Sequence, residues 1–121
     1  MEKQPLSKVS ESKIQADAFR WLWNTYPHTR RCFFAIPNGG FRNVKEAASM
    51  KATGTVAGIP DTCLIWKKTP YFFEFKSANG KISKEQHYVQ MAFSKQGVVV
   101  WTVRDLEQFQ NIINMIINGE R

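Results

Sequence analysis

The 121-residue sequence has only two cysteines, Cys32 and Cys63, and both sit in apolar runs that read as strands. Buried free thiols suit such positions better than a disulfide or a metal pair, and neither residue is assigned any chemistry. Long hydrophobic runs are also missing: no window approaches the roughly 18 consecutive apolar residues of a membrane span. The opening MEKQPLSKVSESK lacks the apolar core of a signal peptide. A cytoplasmic protein without membrane contact is therefore expected. Histidine is scarce as well, since only His28 and His87 occur, and each is isolated. Neither is given a catalytic role.

Acidic residues are the other shortage. Ten Asp and Glu stand against seventeen Lys and Arg, for a net charge of +7 and a pI near 9.7. Such an excess favours a polyanionic partner, nucleic acid first. What is present in quantity is hydrophobic surface, at 43% of residues with 13% aromatic. That composition belongs to a folded globular protein, and 14.0 kDa is about one domain. Residues 1–9, polar and carrying Pro5, read as a flexible arm, and residues 10–121 as the single domain. No internal repeat, low-complexity tract or linker interrupts it.

Ser10 is a good helix N-cap, with Glu11 in the first turn where a carboxylate suits the dipole. Ile14, Ala18, Trp21 and Leu22 then recur at helical spacing. Glu11 and Gln15 fall in line with this stripe, so both are expected to point toward the interior at one end of the helix. Residues 32–36 read as a strand closed by a Pro37-Asn38-Gly39-Gly40 turn, and residues 41–51 as a helix. Residues 61–66 and 71–76 read as strands joined by Lys67-Lys68-Thr69-Pro70 in an antiparallel hairpin. Ser83 and Gln86 form a capping-box pattern opening a helix with Val89, Ala92 and Phe93 inward and Gly97 as its stop. Residues 98–103 make a further strand. Asp105 caps a last helix whose Leu106, Phe109, Ile112, Ile113, Ile116 and Ile117 give a wide apolar face.

One segment contradicts its own pattern. Glu74 and Lys76 lie within Tyr71-Phe72-Phe73-Glu74-Phe75-Lys76, and strand alternation puts both charges on one side, opposite Phe73 and Phe75. Buried charges are costly unless paired with each other or with a metal. Asp61 starts the preceding strand, and hairpin pairing brings its carboxylate near Glu74. A divalent cation would relieve the repulsion of the pair, and hard oxygen ligands suit magnesium. Lys76 could then orient or activate a water and offset phosphate charge. A structural ion pair crossing the sheet is the plainer reading of Glu74 and Lys76.

Gly58-Ile59-Pro60-Asp61 followed by Glu74-Phe75-Lys76 resembles the PD-(D/E)XK nuclease signature. The likeness extends through Glu11-Ser12-Lys13-Ile14-Gln15, Ile36-Pro37-Asn38-Gly39-Gly40, residues 51–61 and Ile82-Ser83-Lys84-Glu85-Gln86. Together these are similar to the stand-alone VRR-NUC branch of that superfamily, from Glu11 to about Ile117. The resemblance implies an α/β, restriction-endonuclease-like core: a mixed sheet of about four strands flanked by helices. It implies a magnesium site, with manganese as substitute, formed by Glu11, Asp61, Glu74 and the Phe75 carbonyl. Lys76 would be the catalytic lysine and Gln86 a supporting polar residue that also serves as the Ser83 cap partner. The implied activity is endonucleolytic hydrolysis of DNA, by a homodimer on branched substrates such as four-way junctions. Asn38, Gly39, Gly40, Arg42, Lys45 and Lys51 are the candidate groove for the DNA backbone, with Arg30 and Arg31 near them in sequence. The rival from another class is a basic DNA-binding module without catalysis, its carboxylates structural.

Overall fold

A helix with a wholly buried stripe opens the chain. In the computed structural model, which describes residues 9–37 and 43–119, α1 spans Glu11–Thr25. Ser10 caps it as expected, its Oγ accepting from the Lys13 N–H at 3.1 Å, and Ile14, Ala18 and Leu22 are buried. A short 3-10 turn at Pro27–Thr29 leads to β1, Phe33–Ala35. Helix α2 covers Val44–Ala52, starting later than the sequence pattern suggested because Asn43 caps it, its side chain accepting from the Glu46 N–H. Most of the expected arm lies outside the described residues.

Strands β2 (Thr62–Trp66) and β3 (Thr69–Phe75) form the expected hairpin, but its turn is tighter than the expected link. Lys67 and Lys68 take φ of 48° and 71°, as a two-residue turn matched to strand twist requires. Thr69 and Pro70 consequently continue β3, opposite Trp66 and Ile65. Helix α3 (Lys84–Lys95), β4 (Val99–Val103) and α4 (Leu106–Asn118) complete the chain. Gly97 and Gly119 take left-handed φ just past α3 and α4.

The strands form one mixed sheet in the order β1-β2-β3-β4, with the first two pairings antiparallel and β3-β4 parallel. This is the four-stranded, helix-flanked architecture expected. Alternation sorts the side chains of β3. Phe73 and Phe75 join Phe33, Leu64 and Val103 beneath α1 and α4. Phe72 and Glu74 face the other way, where Phe72 meets Phe93 of α3 at 4.8 Å between ring centres. Helix α3 covers its face loosely: Val89 and Phe93 are half-buried, and Ala92, expected inward, is exposed. The apolar face of α4 is spent on the chain's own core, with Phe109, Ile112 and Ile113 buried and Leu106, Ile116 and Ile117 packed beside them.

Phe109 is the hub of the core. Its ring lies between 5.1 and 6.1 Å from those of Trp21, Phe33, Phe73 and Phe75. Phe109→Ala should therefore cost about 3–5 kcal/mol in urea unfolding. Met91→Ala, on the exposed side of α3, should leave the midpoint almost unchanged.

Candidate active site

The register of the hairpin decides which carboxylates meet. Thr62 pairs with Phe73, so Asp61 and Glu74 come together where β2 begins and β3 ends. Asp61 is fixed at both ends: its carbonyl accepts from the Ile36 N–H at 2.8 Å, and its Oδ2 accepts from the Phe75 N–H at 2.7 Å. Glu74 is 2% exposed and Lys76 8%, so the sheet holds both charges nearly out of water. The Phe75 side chain is buried in the core on the opposite face. Only its backbone is available to the site.

Helix α3 supplies the next group. Ser83 Oγ accepts from the Gln86 N–H, and Gln86 Oε1 accepts from the Ser83 N–H at 2.8 Å, a complete capping box. The same Gln86 donates through Nε2 to Glu74 Oε2 at 2.7 Å. Cap and site roles coexist in one side chain, as the sequence suggested. This end of α3 is seated by Gly58, at φ +84°, where a Cβ would come within 2.4 Å of the Glu85 carbonyl and 2.6 Å of Gln86 N. The glycine before Ile59-Pro60-Asp61 thus lets that loop press on the first turn of α3.

Glu11 occupies the rim rather than the interior. It is exposed, against expectation, because it sits on the first, half-open turn of α1. Its charge still reaches Asp61 and Glu74. Among the described residues, no three Asp, Glu, His or Cys side chains stand close enough to hold a metal ion as placed. The structure brings together Asp61, Glu74, Lys76 and Gln86 and leaves Glu11 beside them. A third carboxylate approaching two others without a counter-ion would be repelled.

Glu11 is bordered by residues to which the sequence reading gave no role. A Cβ on Gly80 would lie 3.1 Å from Glu11 Oε2 and 3.0 Å from Ser77 Oγ. The turn carrying Gly80 is gripped by Arg104, whose Nη1 donates to the carbonyls of Ser77 at 2.8 Å and Gly80 at 2.7 Å. Gln108 Oε1 in turn accepts from the Arg104 N–H at 2.7 Å. An arginine just after a strand gives no sign in sequence that it clamps carbonyls more than 20 positions away. Sequence spacing alone could not have found it.

The electrostatics follow from burial. Desolvation, then the neighbouring Asp61 charge, pushes the Glu74 carboxyl up to about 8. Burial raises Asp61 too, opposed chiefly by the hydrogen bond from Phe75. Lys76 favours the charged form of both. Glu74 Oε1 is buried without a hydrogen-bond donor among the described residues, although Asp61 lies within hydrogen-bonding reach of the same carboxyl. Two ionised carboxylates have no hydrogen to exchange. A shared proton, a bridging water or a cation would satisfy both, and an all-oxygen pair with a spare acceptor suits magnesium.

Of the expected DNA-backbone groove, Asn38, Gly39, Gly40 and Arg42 lie outside the described residues. Lys45 and Lys51 are exposed on α2, and residues 53–60 lead from that helix to Asp61. His28 is exposed, its ring set between those of Tyr26 and Trp66. Cys32 and Cys63 are free thiols, and burial pushes the Cys63 thiol up.

A helix-flanked mixed sheet with an Asp-Glu-Lys cluster where a hairpin opens is the restriction-endonuclease-like class of α/β fold. More particularly, the chain has the fold of a VRR_NUC domain protein. A solved structure of that description superposes with a TM-score of 0.74 over 91% of this chain and 89% of the other, at 18% identity. No protein-family model matches the sequence, and no curated protein does.

Gly58→Ala should disturb both the loop and the start of α3, because the Cβ meets backbone that cannot swing aside. A loss of at least about 2 kcal/mol is expected by thermal or urea unfolding. The carboxyl pair also predicts a pH trend in EDTA. The folded state holds the Glu74 proton up to about 8, whereas an ordinary glutamate releases it near 4.5. Between those values the folded form binds more protons, so stability falls as pH rises. The melting temperature of the metal-free protein should decline from pH 5 to pH 8, and Glu74→Gln should flatten the slope.

Proposed function

We propose that the chain is a magnesium-dependent endonuclease that hydrolyses phosphodiester bonds of DNA. The observation that carries this reading is the buried Glu74 carboxyl, held beside Asp61 with one oxygen lacking a donor and with Lys76 alongside. A purely structural ion pair would need one carboxylate for one lysine. Here two carboxylates crowd together in low dielectric, which costs stability unless something positive joins them. The VRR_NUC fold gives the same site a nuclease context.

Asp61 and Glu74 would hold the ion, with Glu11 and the Phe75 carbonyl as further oxygen donors. When bound, magnesium supplies charge stabilisation at the phosphate and makes a water more acidic. Gln86 keeps Glu74 oriented, and the Phe75 N–H does the same for Asp61. Lys76, on the Glu74 side of β3, presents its ammonium to the attacking water or to a phosphate oxygen. In the net reaction water adds to phosphorus, one ester oxygen departs, and that oxygen takes up a proton. The exposed Lys45 and Lys51, with a net charge of +7, favour approach of a polyanion.

Branched DNA cut by a homodimer is the finer proposal, since resolving a four-way junction needs two active centres. The protein should be incubated with linear, flapped, single-stranded and four-way DNA, with magnesium or with EDTA. Cleavage should appear only with the metal. Asp61→Ala and Lys76→Ala should lower it by at least about 100-fold while salt-sensitive DNA binding persists. Full activity in either variant overturns the assignment. Binding without any metal-dependent cleavage favours the non-catalytic module instead.

A further inference from the structure

The outer flank of α1 carries aromatic side chains that the site above does not use. Phe19 and Trp23, one helical turn apart, remain 41% and 39% exposed, with ring centres 5.8 Å apart and planes tilted by 32°. Phe19 also lies nearly parallel to Phe33, at 6.0 Å and 25°. The Arg30 guanidinium sits 5.0 Å over the Trp23 ring and donates through Nε to the Trp23 carbonyl. These rings are braced in place, yet their outer faces are open.

They border a mostly apolar cleft of about 670 Å³ between α1 and the β1 side of the sheet, where Ala35 and Thr62 line it. Two of its lining residues are close in sequence to residues of the candidate site. Thr62 follows Asp61, and Gln15, also lining the cleft, is one turn beyond Glu11. Among the described residues that line it, Arg20 is the one charge and no carboxylate is present. Arg20 approaches Asp17 only to 3.6 Å and keeps 70% of its side chain exposed.

We infer that this cleft receives an unpaired nucleobase of the strand being cut, stacked against Phe19 and Trp23, with an adjoining phosphate near Arg20. The inference rests on the nuclease reading for the position of the scissile phosphate, and extends it to the form of the substrate. Stacking on aromatic rings needs the open face of a base, which a paired base inside a duplex cannot offer. The volume falls within the roughly 300–1,000 Å³ of small-molecule sites, ample for one base and its sugar. Charge selects against the other occupants. A second copy would bring another +7 toward Arg20, and an apolar peptide would make no use of its largely exposed charge. The enzyme would therefore prefer DNA with unpaired nucleotides beside the cut, as at flaps, forks and junction centres.

The test is anisotropy of the full chain in EDTA with fluorescein-labelled oligothymidine about 12 nucleotides long and with a blunt, fully paired duplex of about 12 base pairs. Phe19→Leu/Trp23→Leu keeps the surface apolar but removes the rings. It should weaken oligothymidine binding about 10-fold or more while changing duplex binding less than about 2-fold. Trp23→Phe should restore most of the loss. If the double variant does not fold, as judged by circular dichroism, Trp23→Leu and Arg20→Gln, both at exposed positions, should still show the selective loss. Equal losses on both DNAs, or none, overturn the inference. So does conversion of a wild-type dimer to a monomer by the double variant, which would make the cleft a subunit interface. Magnesium-dependent cleavage of a flapped duplex, measured in parallel, separates the two readings: cleavage with no ring-dependent binding removes only the cleft, and ring-dependent binding with no cleavage removes only the nuclease.

Discussion

Two carboxyl groups held side by side out of water are the constraint around which the active end is organised. Pairing of Thr62 with Phe73 brings Asp61 and Glu74 together, and the strand places Glu74 almost wholly inside. Neither can withdraw, because one is tied to the Phe75 N–H and the other to the Gln86 amide. Their raised proton affinity is the visible sign of this confinement. The arrangement is unfavourable by itself, and the magnesium ion proposed above would relieve it.

Stability to hold such a site comes from the other side of the sheet. There Phe33, Phe73, Phe75 and Phe109 interlock beneath α1 and α4 with hardly any exposure. One strand thus serves two ends: Phe73 and Phe75 anchor β3 in a dry core, while Glu74 between them and Lys76 just past the strand's end carry the charges. Domains of this size keep only about 5–15 kcal/mol in hand, so a destabilised site needs a core of this quality behind it.

Most of the architecture could be read from the residues, because each element advertises its own ends. Ser10, Asn43, Ser83 and Asp105 each accept the expected helix-start hydrogen bond, although the cap at Asn43 was placed only by the structure. The charged residues within an aromatic strand pointed to Glu74 and Lys76, and hairpin logic added Asp61. What escaped the sequence depends on contacts distant along the chain. The seat that Gly58 makes for α3, the grip of Arg104 on the turn after Lys76 and the rim position of Glu11 arise only when the ends of several elements meet. The turn at Lys67 and Lys68 was misjudged for a local reason: lysines carry little preference for positive φ, so hairpin twist imposes it on them.

The capping box of α3 has a chemical polarity. Because Gln86 Oε1 is engaged by the Ser83 N–H, its amide cannot turn over, and the nitrogen must face Glu74. Glutamate, nearly the same shape, would serve the helix start equally well but would set a third negative oxygen against Glu74. The difference between NH2 and O at one side-chain tip therefore leaves the helix start intact while deciding whether Glu74 meets a donor or another charge, and ties the identity of a helix cap to the charge its neighbour can bear.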